Sequence, residues 1–150
     1  MGNVPYSVSG SYFESCNCDA ICPCRMVDGV RGGRSTYRIC YGALTWLVET
    51  GPQVGVLPWV RKMSHLVDVR PDRIELVPQG EGYELRVGEA VRARATRPVS
   101  SDAVVRCVIP GYDQPGRELV ADELTIRDDP FSWELQDNCA FASRFAYASE

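Results

Sequence analysis

The chain has 150 residues, 45% hydrophobic and 24% charged, the balance of an ordinary soluble globular protein able to close a core as one domain over 1–150. A formal net charge of −4 and a pI near 5.1 offer no basic footprint for phosphates, so neither nucleic acid nor an acidic lipid surface is an expected partner. No apolar run approaches the roughly 20 residues that span a bilayer, and Met1 to Gly10 lacks the basic and apolar regions of a secretory signal, so the cytoplasm is the expected compartment.

Period-2 alternation, β-branched and aromatic residues, and Gly, Pro and Asp punctuation dominate the chain. Val8 to Ser15 reads as a strand leading into a cysteine-rich segment. Asp28 to Ser35, with Gly29, Gly32 and Gly33, reads as a flexible loop. Tyr37 to Glu49 is apolar almost throughout and predicts a buried strand. Leu57 to Val67 places Leu57, Val60, Met63 and Val67 at helical spacing behind Pro58, which predicts the single short helix. Strands follow at Arg73 to Pro78, Tyr83 to Val87, Val91 to Thr96, Ala103 to Ile109, Leu119 to Ile126, Phe131 to Leu135 and Cys139 to Tyr147. Turn residues such as Gln79-Gly80-Glu81-Gly82 and Asp128-Asp129-Pro130 separate them. The expected fold is mainly β (α+β), an antiparallel sandwich or partly closed barrel with one helix.

The chemistry concentrates in Cys16-Asn17-Cys18-Asp19-Ala20-Ile21-Cys22-Pro23-Cys24, two C-x-C pairs three residues apart. Same-face residues of a flat strand lie about 6.6 Å apart, whereas thiolates sharing one tetrahedral ion sit about 3.8 Å apart. The segment must therefore curl, and Asn17, Asp19 and Pro23 are residues that curl a chain. Four clustered thiolates repel one another, and a bound cation removes that repulsion.

The leading expectation is a metal site of Cys16, Cys18, Cys22 and Cys24, with Zn2+ ahead of Cu(I) and iron as a further thiolate-bound alternative. Cys40, just after the flexible loop, is a candidate fifth sulfur. A thiol-disulfide oxidoreductase using Cys22 and Cys24, a structural disulfide framework and an interaction module stapled by these cysteines are the alternatives; seven cysteines, an odd number, count against full pairing. Cys107 and Cys139 read as core residues. Glu14 and Asp19 read as solvated turn residues, with oxygen ligation as the alternative. His65, the only histidine, reads as a surface or packing residue, and Trp46, Trp59 and Trp133 read as core anchors. Hydrolase, nucleotide-binding and zincin motifs are missing from the sequence.

The segment Ser11-Tyr-Phe-Glu-Ser-Cys-Asn-Cys-Asp-Ala-Ile-Cys-Pro-Cys24 closely resembles the N-terminal signature of the bacterial "domain of unknown function 1326" family. Cys40-Tyr-Gly-Ala-Leu-Thr-Trp46 is similar to that family's next strand, and Phe141-Ala-Ser-Arg-Phe-Ala-Tyr147 to its aromatic C-terminal strand. The stretch from Glu49 to Leu57 is shorter than in many members, and His65 falls on no family motif. The resemblance implies a cysteine-centred metal site carried by Cys16, Cys18, Cys22 and Cys24, with Cys40 beside them; it implies no substrate.

Overall fold

A computed structural model describes residues 5–51 and 71–149. Among them are eleven strands, β1 (Ser7–Cys16), β2 (Met26–Val27), β3 (Val30–Arg31), β4 (Gly42–Thr50), β5 (Ile74–Gln79), β6 (Gly82–Val87), β7 (Val91–Pro98), β8 (Val105–Arg106), β9 (Gly116–Asp128), β10 (Phe131–Leu135) and β11 (Cys139–Ala148). All pair antiparallel in one sheet. The helix expected over Leu57–Val67, with Trp59 and His65, lies outside the described residues.

The long strand β9 organises the sheet. Its first half pairs with β11, which pairs with β1 and then β4; its second half pairs with β10 and, on the other edge, with β7, β6 and β5. Two wings therefore share one strand. The main core joins them: Phe13, Leu119, Ala140 and Ala142 pack in one cluster with Leu76, Leu85, Ala93, Leu124 and Ile126. Small alanines let the wings approach, and the Phe13 ring meets Tyr83 at 5.8 Å. The described strands thus form a single open sheet that leaves β3, β4, β5 and β10 at its ends, in place of two separate sheets or a closed barrel.

Alternation along β1 sends Phe13 and Ser15 to this core and Tyr12, Glu14 and Cys16 to the opposite face, where β11 supplies Cys139, Phe141 and Phe145. The second face carries the chemistry. Its own apolar cluster, Tyr12, Val105, Cys107, Phe141 and Phe145, supports the cysteine segment from one side.

Three expectations change. The segment 28–35 is partly ordered: Asp28 and Gly29, both with positive φ, make the two-residue turn of the β2–β3 hairpin, and Asp28 Oδ1 accepts a bond from the Val104 amide at 2.8 Å. The strand expected from Tyr37 begins only at Gly42 and lies at the edge of the sheet, so Leu44, Trp46 and Leu47 are exposed rather than buried. Trp46 is consequently no core anchor; its indole N–H donates to Tyr147 Oη at 3.0 Å and its ring edges onto Tyr12. Trp133, by contrast, packs against the main core. In urea denaturation, Phe13→Ala is expected to lose about 3–5 kcal/mol of stability, and Trp46→Ala only about 1 kcal/mol, the worth of an exposed aromatic pair.

Candidate metal centre

Strand pairing brings the first two sulfurs together from opposite ends of the chain. Cys16 and Cys139 are directly opposed in the β1–β11 register, and their Sγ atoms are 3.1 Å apart. Beyond Cys16 the chain leaves the sheet, and each step is anchored. The Asn17 amide donates to the Tyr41 carbonyl, the Cys18 carbonyl accepts from the Cys139 amide at 2.8 Å, and the Cys22 amide donates to Glu118 Oε1 at 2.9 Å. Asn138, itself buried, donates to the Cys16 carbonyl at 2.7 Å and to Ser15 Oγ at 3.0 Å. Gly32 closes the far side: its amide reaches the Arg25 carbonyl at 2.8 Å, and a Cβ there would lie 1.8 Å from the Pro23 carbonyl oxygen. Only glycine fits that approach.

The curled segment converges as its composition demands. Cys16, Cys18 and Cys22 are buried, with sulfurs all within 4.8 Å of one another, and this group can hold a metal ion. Cys24 packs half-buried against them, and Cys40 is exposed, on the segment whose Ile39 carbonyl and Tyr41 amide are held by the Asn17 side chain. All seven thiols are free.

Cys139 is the residue that sequence reasoning placed elsewhere. Expected as plain core, it is fully buried within the sulfur cluster. Only the strand register reveals it. Cys107, also expected as core, does lie in the apolar cluster of Tyr12, Phe141 and Phe145.

Glu14 overturns the reading of a solvated turn residue. It is buried in β1 and pairs with the Arg25 guanidinium Nη1, while Arg25 Nε donates to Glu118 Oε2 at 2.8 Å. Arg25 Nη1 also approaches Cys107 Sγ at 3.3 Å, Tyr12 Oη donates to Glu14 Oε2, and the guanidinium lies over the Phe141 ring at 4.8 Å. Asp19 keeps its solvated role, exposed and accepting a bond from Tyr37 Oη at 2.9 Å.

These surroundings set the protonation pattern. Hydrogen bonds from Cys139 and Cys16, helped by Arg25, pull the Cys22 thiol below its ordinary range. Its donors are driven the other way: the Cys16 thiol is raised chiefly by its bonds to Cys139 and Cys22. Burial, then the neighbouring Cys22 charge, pushes Cys24 up to about 12. Burial raises Glu118 as well, against the opposing pull of Arg25. A cavity of about 410 Å³ between Glu81, Val99, Ser101 and Arg117 reaches this centre at Ile21 and Glu118.

Comparison with known proteins finds no matching family model, no matching curated protein and no matching solved structure. Among the described residues, no helix is long and apolar enough to cross a membrane.

Arg25 is the residue whose loss this arrangement tolerates least, because it would leave two buried carboxylates without a cation. Arg25→Ala is expected to cost about 3–5 kcal/mol in metal-free protein. Arg25→Met combined with Glu14→Gln and Glu118→Gln is expected to recover most of that loss, both measured by urea denaturation.

Proposed function

We propose that the protein binds a thiophilic metal ion through Cys16, Cys18 and Cys22, and that this site is its functional centre. The observation that carries the reading is the mutual approach of three buried sulfurs within 4.8 Å. Thiolate ligands favour Zn2+, Cu(I) or iron over hard cations. Zn2+ would complete a tetrahedron with a fourth sulfur, for which Cys24, Cys40 and Cys139 are the neighbours. The downward pull on the Cys22 thiol lowers the proton cost of a metal–sulfur bond there. The reading agrees with the cysteine signature shared with the "domain of unknown function 1326" family, and we propose membership on that likeness. A reducing cytoplasm is the compartment in which such thiols serve as ligands rather than disulfides.

A second reading, thiol-disulfide oxidoreductase, rests on the 3.1 Å contact between Cys16 and Cys139, two directly paired residues whose oxidation would close a bond across β1 and β11. It predicts a dithiol-consuming activity in metal-free protein.

Elemental analysis of protein purified without added metal, with alkylation before and after chelation, separates the two. Metal in the purified chain, with Cys16, Cys18 and Cys22 shielded from alkylation until the chelator is added, is the expected result. Cys18→Ser is expected to lower metal affinity at least tenfold. A metal-free chain carrying a Cys16–Cys139 bond would refute the metal reading.

A further inference from the structure

The centre holds more sulfur than one tetrahedral ion uses, and the surplus is arranged. Around the Cys16, Cys18 and Cys22 triangle stand further sulfurs. Cys139 Sγ lies 3.1 Å from Cys16 Sγ, and Cys139 and Cys24 pack in one cluster with the triangle. Cys40 enters from the segment that Asn17, between Cys16 and Cys18, holds by its side chain.

The outer positions are built rather than incidental. Cys139 is held by register and by its amide bond to the Cys18 carbonyl. Asn17 pins the chain on both sides of Cys40, donating to the Ile39 carbonyl and accepting from the Tyr41 amide, each at 3.0 Å. Cys24 sits in the turn closed by the Arg25 amide on the Cys22 carbonyl.

An all-thiolate zinc site requires four sulfurs all about 3.8 Å apart. Among the described residues, no fourth sulfur joins the group whose members all lie within 4.8 Å of one another. Three close sulfurs with further sulfurs packed against them suit an ion that accepts trigonal thiolate coordination and lets thiolates bridge. Cu(I) is that ion, and soft thiolates select it.

We propose that Cys16, Cys18, Cys22, Cys24, Cys40 and Cys139 together hold a polynuclear Cu(I)–thiolate cluster, in which more than one Cu(I) ion is bridged by shared sulfurs. The inference rests on the metal-site reading above and deepens it. On loading, each protonated thiol gives its proton to solvent as a copper–sulfur bond forms, and copper stays in the +1 state throughout.

The test is an anaerobic titration of the full chain with Cu(I) delivered from a competing chelator. Bound copper per chain is counted after desalting, with emission and X-ray absorption recorded on the product. More than one Cu(I) per chain, emission of a solvent-shielded cluster and a Cu–Cu scattering distance are expected. Cys40→Ser, at an exposed position that leaves the fold intact, is expected to lower the copper count and quench the emission, and Cys139→Ser should do the same. A single Cu(I) per chain without Cu–Cu scattering, or a count unchanged in both Cys40→Ser and Cys139→Ser, overturns the cluster while leaving the three-sulfur metal site standing. A chain that takes up neither Cu(I) nor Zn2+ overturns both.

Discussion

The buried guanidinium of Arg25 ties the cysteine segment to the sheet. Arg25 follows Cys24 directly, and its side chain reaches back beneath the segment to Glu14 on β1 and Glu118 on β9. The two strands flank β11, which supplies Cys139. One side chain thus locks the loop carrying Cys18, Cys22 and Cys24 over the strand ends carrying Cys16 and Cys139. Glu118 completes the link, because its other oxygen receives the Cys22 amide. Such a network pays its desolvation cost only when every partner is present, so the geometry of the sulfurs and the integrity of the ion pairs stand or fall together.

The same network leaves the centre electrically unfinished. Two carboxylates face one guanidinium on the same buried face. Neutralisation by Arg25 alone is incomplete, and a cation among the sulfurs would be attracted by the carboxylate layer behind it. Arg25 plays two parts here: it makes burial of the carboxylates tolerable and it helps to pull the Cys22 thiol below its ordinary range.

Much of this was legible in the residues, and the failures have physical causes. Strand periodicity and turn chemistry located β5, β6, β7, β9, β10 and β11 within a few residues, because hairpin strands are local features. The spacing of Cys16, Cys18 and Cys22 correctly implied a curled, converging segment. Glu14 was misread because β1 is buried on both faces, which erases the usual rule that a charged residue marks the solvent side. The Asp28-Gly29 hairpin was passed over amid flanking glycines and arginines, although that dipeptide is a strong local turn signal. Trp46 misled because an apolar run does not distinguish a central strand from an edge strand. Cys139 required a pairing register across more than a hundred residues of intervening chain, and no local pattern encodes that.

The separation of the two apolar clusters from the sulfurs bears on how the centre works. Small all-cysteine domains commonly depend on their metal to fold. Here the main core, running from Phe13 through Leu85 and Leu124 to Ala142, contains no cysteine and joins both wings of the sheet. Hydrophobic burial on that scale supports the strands independently of the site, and the sulfur cluster occupies one end of the opposite face. The sulfur site is thereby relieved of a structural duty. Cys16 and Cys139 are fixed by the sheet, whereas Cys18, Cys22, Cys24 and Cys40 lie on connecting segments held by a handful of hydrogen bonds. Two of the sulfurs thus ride on the sheet and four on connecting segments, and the stretch carrying Cys18, Cys22 and Cys24 moves only if the bonds of Arg25 and of the Cys22 amide to Glu118 are broken.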